Sequence, residues 1–163
     1  MKSIFNSFYN SINQFNYMKG GSYPTDPDSL EFAQVMKNQI LRVQEELDEL
    51  LEAIEYNQKE EIIDGICDVL YTALPIAEIA FSAGYKVEPA CMEVAKNNLE
   101  KYPTSYEIAV KSAEKLGESY CHIDSRDYNG VTYYSILRNE DMKLMKPIGY
   151  ESVNLKKFVP EEK

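Results

Sequence analysis

Gln44-Glu45-Glu46-Leu47-Asp48-Glu49-Leu50-Leu51-Glu52-Ala53-Ile54, followed after a short polar break by Glu60-Glu61-Ile62-Ile63-Asp64-Gly65-Ile66-Cys67-Asp68-Val69-Leu70-Tyr71, reads as two successive helices whose acids lean toward one point. At roughly 100° per residue, Glu46 and Glu49 fall near each other, beside the apolar arc of Val43, Leu47, Leu50 and Ile54. They border the core instead of pointing away from it. On the second helix Asp64, Asp68 and Tyr71 share a face, while Ile62, Ile63, Ile66, Val69, Leu70 and Ala73 fill most of the rest. Asp68 is thus an acid inside an apolar run, and no Lys or Arg lies between Lys59 and Lys86. Taking a carboxylate out of water is costly unless it is paired or coordinates a metal. A magnesium ion is the economical explanation. Taken alone, Glu45, Asp48, Glu52 and Glu55 read as an ordinary solvated face. Glu46, Glu49, Asp64 and Asp68 do not, because like charges at i,i+3 and i,i+4 cost roughly 0.2–0.5 kcal/mol per pair, and two helices in succession carry that cost.

Composition narrows the choice further. The chain has 163 residues, 44% of them hydrophobic, enough for one good core and a small appendage. Seventeen basic against 27 acidic side chains give a formal charge of −10, which argues against a protein that grips a nucleic-acid polymer by its phosphates. A nucleotide held through metal is compatible with that charge. No run of about 18 apolar residues appears, so no membrane-spanning helix is expected, and the N-terminus lacks the apolar segment of a signal peptide. Cys67, Cys91 and Cys121 are odd in number and widely spaced, which fits reduced thiols in a cytoplasmic protein, with Cys67 packed in a helix. The single histidine, His122, makes a serine triad or a histidine-rich zinc site improbable and rules out a one-chain di-iron bundle.

Along the chain, Phe5, Phe8, Ile12 and Phe15 mark an aromatic helix over 3–18, stopped by Lys19-Gly20-Gly21. Asp28 followed by Glu31 resembles a cap with its reciprocating acid, and opens a long helix to about Tyr56. A third helix spans roughly 59–83, with Pro75 expected to kink it and Gly84 to end it. A fourth runs from Glu88-Pro89 to about Tyr102, where Pro103 breaks it. Thr104 with Glu107 gives a second capping signal for a short helix ending near Gly117. Asn129-Gly130 then marks a hairpin turn before the alternating run Val131–Leu137, and Asn139-Glu140-Asp141 marks another turn. The expected fold is all-α, a four- to five-helix bundle over 1–117 with a small β-hairpin or three-stranded meander in 118–163. The strands carry no convergent acids and are expected to cover or pair at a subunit edge.

These residues resemble the all-α nucleoside triphosphate pyrophosphohydrolases that include MazG, the dimeric dUTPases and phosphoribosyl-ATP pyrophosphohydrolase-like proteins. The family pattern is Glu-Glu-x-x-Glu on one helix and Glu-x-x-Asp on the next. Glu45–Glu49 matches the first half. Asp68 with Val69-Leu70-Tyr71 resembles the aspartate and apolar run of the second, but Gly65 stands three before it and the nearest acid is Asp64. A phage and bacterial branch has a similar Asp-x-x-x-Asp with a later Asn-x-x-Lys, here Asn98-Leu99-Glu100-Lys101. The resemblance covers most of 5–102.

It implies a Mg²⁺-dependent hydrolase, with Mn²⁺ a possible substitute, that splits a nucleoside triphosphate between the α and β phosphates. Glu46, Glu49, Asp64 and Asp68 would be the metal ligands, with Glu61 an alternative to Asp64. Glu45 would be a further ligand or orient the attacking water, so that Glu45, Glu46, Glu49 and Asp68 form the catalytic set. Lys96, Asn98 and Lys101 would meet the phosphates, and Tyr71 or Tyr102 the base or sugar. A homodimer or a dimer of dimers in the cytoplasm, the host's if the chain is phage-encoded, completes the expectation. Two rivals stand beside it: a nucleotide-sensing module with the same acids but no turnover, and an acidic helical interaction protein.

Overall fold

The computed structural model describes residues 2–18, 20, 22–117 and 119–161, with side chains from residue 7 onward. Among them are five helices, α1 (Lys2–Met18), α2 (Leu30–Glu55), α3 (Lys59–Ser82), α4 (Val87–Leu99) and α5 (Tyr106–Leu116), and two strands, β1 (Cys121–Tyr128) and β2 (Val131–Arg138). The helical fold with a C-terminal hairpin is the one the sequence predicts. Lys19 and Gly21 of the expected helix stop, and the Phe5 side chain, lie outside the described residues.

The chain divides into two compact units, one of Met1–Val87 with Phe158–Lys163, the other of Glu88–Lys157. In the first, α2 and α3 form a helical hairpin across the turn at Tyr56–Gln58, where Asn57 adopts a φ of 53°. Their interface explains Gly65. A Cβ built there would stand 3.1 Å from the Leu50 Cβ and 3.3 Å from the Leu50 Cα, so the helices meet where a side chain has no room. Helix α1 packs on α3, with the Tyr71 ring edge-on to Phe8 and Phe15 and Ile12 fully buried. Buried Ala53, Ile79 and Ala83 line the rest of this small core. Pro75 is buried inside α3, and Gln39 of α2 donates to the Thr72 carbonyl at 2.7 Å, beside the carbonyl that Pro75 cannot bond.

In the second unit α5 shares one core with the hairpin: Ala109 and Ala113 pack with Cys121 and Ile136, and Ile123, Tyr134 and Met145 close around them. β1 and β2 pair antiparallel with Tyr128 opposite Val131. Between them Asn129 and Gly130 both have positive φ, 52° and 78°, the geometry of the tight turn that the dipeptide signals. The meander does not form. The segment after Asp141 contributes one isolated bridge, Leu144 to Leu137, because Met142 at a φ of 59° turns the chain before a third strand can extend.

Three local expectations are corrected. The α2 cap is Ser29, not Asp28, its hydroxyl accepting from Phe32 N at 3.0 Å. Ser105, not Thr104, caps α5 through Ile108 N. A serine one position downstream does the same work on the next amide, and the tetrad signal does not distinguish the two registers. Cys67 is exposed, and Cys121 is the buried thiol.

Candidate active site

The carboxylates of α2 and α3 meet across a small cleft of about 260 Å³, lined by Glu49, Glu52, Gln58, Glu61, Asp64 and Asp68, with Ala53 and Gly65 as its floor. The floor is small because the helices touch there. Glu46, one turn before Glu49, is half-buried and does not line the cleft, but it feels it. Burial first, and then the charges of Asp68, Glu49, Glu45 and Asp64, hold its carboxyl above the ordinary value of 4.5. That one group registers acids from both helices. No ion pair among the described residues reaches any of them.

The sequence reading passed over Glu52. It lies three residues beyond Glu49 and lines the same cleft, and that i,i+3 step was the available signal. Glu61 and Asp64 both line it too, so the lining does not choose between them. All donors are carboxylate or amide oxygens, which suits a hard divalent cation better than a soft one. In their present side-chain conformations no three acidic, histidine or cysteine groups among the described residues converge as a finished metal site.

The other predicted residues lie elsewhere. Tyr71 belongs to the aromatic contact between α1 and α3. Lys96, Asn98, Lys101 and Tyr102 belong to the second unit, on α4 and the turn after it. Lys101 Nζ donates to Asn98 Oδ1 at 2.7 Å.

With this geometry in place, comparison with known families is informative. The family model for the MazG nucleotide pyrophosphohydrolase domain matches residues 34–107. Over that stretch the chain resembles a MazG domain. The match runs from α2 through α3 and α4 to the start of α5, and takes in every predicted acid. No curated protein matches the chain, and no solved structure does. The match points to one general class, nucleotide pyrophosphohydrolase, while the hairpin and everything else after Glu107 lie outside it.

Proposed function

We propose that the chain is a Mg²⁺-dependent nucleoside triphosphate pyrophosphohydrolase releasing a nucleoside monophosphate and pyrophosphate. The observation that carries the reading is the cleft where Glu49 and Glu52 of α2 face Glu61, Asp64 and Asp68 of α3, with Glu46 beside it held above its ordinary value by burial and then by neighbouring carboxylates. A triphosphate brings about four negative charges, and an acidic cleft can accept it only together with cations. Glu46, Glu49, Asp64 and Asp68 would hold Mg²⁺, or Mn²⁺ in its place. When bound, the ion neutralises phosphate charge and makes water a better nucleophile at neutral pH. Glu45 is assigned the water, which it orients by accepting a hydrogen bond. Glu52 and Glu61, which also line the cleft, add negative charge that strengthens cation binding without being needed as ligands. Lys96, Asn98, Lys101 and Tyr102 are assigned to nucleotide contacts, and Tyr71 to packing with a secondary role beside the sugar.

A homodimer or dimer of dimers is part of the proposal. Leu47, Leu51 and Ile54 on α2 and Ile63, Ile66 and Leu70 on α3 are all exposed, more apolar surface than a lone helical hairpin normally leaves to water. No single helix among the described residues is long and apolar enough to cross a membrane.

The test is pyrophosphate release from a panel of ribo- and deoxyribonucleoside triphosphates across a Mg²⁺ titration. Turnover in the parent and its abolition in folded Glu49→Gln and Asp68→Asn is the expected result. Asp64→Asn should weaken Mg²⁺ dependence strongly and Glu61→Gln little, because Glu61 lies nearly two turns from Asp68. Tight nucleotide binding with no turnover on any substrate would replace the hydrolase with a sensor.

A further inference from the structure

One edge of the hairpin is covered and the other is open. Tyr128 opposite Val131 closes the two-residue turn, so the even-numbered residues of β1 bond β2. The odd-numbered ones, Ile123, Ser125 and Asp127, turn their backbone N–H and C=O away from it. On β2 the outward residues are Tyr134, Ile136 and Arg138, and each is engaged: Tyr134 N donates to the Pro103 carbonyl at 2.9 Å, the Ile136 carbonyl accepts from Met145 N at 2.8 Å, and Arg138 N donates to the Lys143 carbonyl at 2.9 Å. On the outer side of β1 no main chain among the described residues bonds Ile123, Ser125 or Asp127. Such an edge is a template for another strand.

The middle of the open edge is closed from within its own strand. The Asp124 carboxylate accepts from the Ser125 amide at 2.8 Å, Arg126 Nη1 donates to the Ser125 carbonyl at 2.8 Å, and the two side chains form an ion pair of 3.0 Å. Both lie on the face away from the core, since Ile123 packs against the Ala109 and Ala113 cluster and side chains alternate along a strand. With the Arg126 and Asp124 side chains 79% and 41% exposed, this clip is weak and readily exchanged.

The order Asp124-Ser125-Arg126 decides what fits the edge. Laid antiparallel to itself with Ser125 opposite Ser125, the strand sets Asp124 of each copy opposite Arg126 of the other, a favourable cross-strand pair. Ser125 then exchanges both backbone bonds with Ser125 of the second copy, and Ile123 does so with Asp127 of the second copy. Opening the clip leaves no charge unpaired, because each side chain trades its partner for the same residue on the other strand. The neighbouring twofold registers fit less well. Centring on Asp124 or Asp127 opposes two aspartates and centring on Arg126 opposes two arginines, which is destabilising. Centring on Ile123 makes no Asp–Arg pair and runs Asp127 past the end of the partner strand.

We propose that β1 is a docking edge for a second copy of this chain, which adds its own β1 antiparallel about Ser125, joins the two-stranded sheets into one and is held by reciprocal Asp124–Arg126 pairs. A single strand edge is small beside the roughly 1,200–2,000 Å² that stable complexes bury, so the pairing is weak and forms at high protein concentration. It rests neither on the nucleotide reading of the carboxylate cleft nor on the apolar face of α2.

The test is charge reversal in the full chain, followed by sedimentation equilibrium from micromolar to millimolar protein. The average mass of the parent should rise by a factor approaching two above its low-concentration value. Asp124→Arg and Arg126→Asp should each abolish the rise with the circular dichroism unchanged, because like charges then face each other. An equal mixture of the two variants should restore it, since each strand meets its opposite charges on the other; mixing cannot repair a clip inside one chain, so restoration reports pairing and not folding. A parent that shows no rise, single variants that associate like the parent, or a mixture that stays as low as its components each overturns the proposal. A second measurement covers variants that fold poorly. With Cys67→Ser and Cys91→Ser in both chains, mixed Asp124→Cys and Arg126→Cys chains should form the 124–126 disulfide in preference to either like pair, and a statistical yield of the three would place the contact elsewhere.

Discussion

Glu46 has the clearest electrostatic consequence of any single residue. Its folded-state carboxyl titrates above 4.5, so within that window the native protein binds more protons than the unfolded chain. The contribution of Glu46 to the stability of the metal-free protein therefore falls as pH rises through the window, the reverse of a salt-bridged acid. Glu46→Gln should melt higher than the parent at pH 7, by an amount corresponding to roughly 0.2–0.5 kcal/mol for each like-charge pair relieved, and the gain should vanish toward pH 4. Melts of the two proteins with chelator across that range measure it, and a gain independent of pH would mean that charge is not its origin. Gly65 is the complementary case. An Ala in a helix interior is normally worth about 0.8–1.0 kcal/mol over Gly. Here its Cβ would lie 3.1 Å from the Leu50 Cβ and 3.3 Å from backbone, so α2 must give way. Gly65→Ala should bring none of that gain. Gly65→Glu, which restores an acid three before Asp68, should cost on the order of 1–3 kcal/mol by overpacking. A full stabilisation by alanine in thermal melts would show the helix contact to be yielding.

The elements show what a sequence discloses and what it withholds. The long helices were legible because the apolar positions of 30–55 and 59–82 recur at helical spacing, and Asn129-Gly130 disclosed its turn because few dipeptides tolerate two successive positive φ values. Caps slipped by one residue, since serine and its neighbours Asp28 and Thr104 are both suited to cap, on successive amides. Angle and charge in the sequence single out Glu49, Asp64 and Asp68, which line one cleft, whereas Glu52, which lines it too, is hidden among acids that resemble a solvated face. The loop at 147–151 could not be placed at all, because Asn97 and Ser112, which bond it to α4 and α5, carry no local signal. The hairpin exit carries a charged contact beside its backbone bonds: Arg138 grips Asp141 through Nε at 2.7 Å and Nη2 at 2.5 Å. That grip, with the Lys143 amide adding to it, lowers the Asp141 carboxyl from 3.8 to about 2. A depressed acid contributes stability above its unfolded value and loses it as pH falls through the folded one. Asp141→Asn should thus melt below the parent at pH 7, with the difference closing between pH 4 and pH 2. A gap that persists at pH 2 would assign the loss to packing.

For the molecule as a whole, the outer surface of the helical hairpin remains to be accounted for. Ile40, Val43, Leu47, Leu51 and Ile54 of α2 with Ile76 of α3 line an apolar groove of about 580 Å³, and Leu51 and Ile54 are 63% and 54% exposed. A chain with a formal charge of −10 repels its own copies at long range, so association has to come from this apolar face at short range. Burial is worth roughly 25 cal/mol per Å² of apolar surface, and several leucine and isoleucine side chains together can outweigh that repulsion where a single one cannot. Salt screens the repulsion and leaves the apolar contact in place, so the dimer proposed above should tighten as ionic strength rises from 0.05 to about 0.5 M, where the Debye length falls below about 10 Å. Sedimentation velocity over that series should give twice the chain mass, with dissociation at the lowest salt and concentration. Leu51→Glu, at an exposed position whose change leaves the fold intact, should give a monomer at every salt and reduce turnover without altering the Mg²⁺ dependence. A parent that sediments as a monomer at the concentrations where it hydrolyses nucleotide would remove the second copy from the mechanism and leave the groove unexplained by self-association.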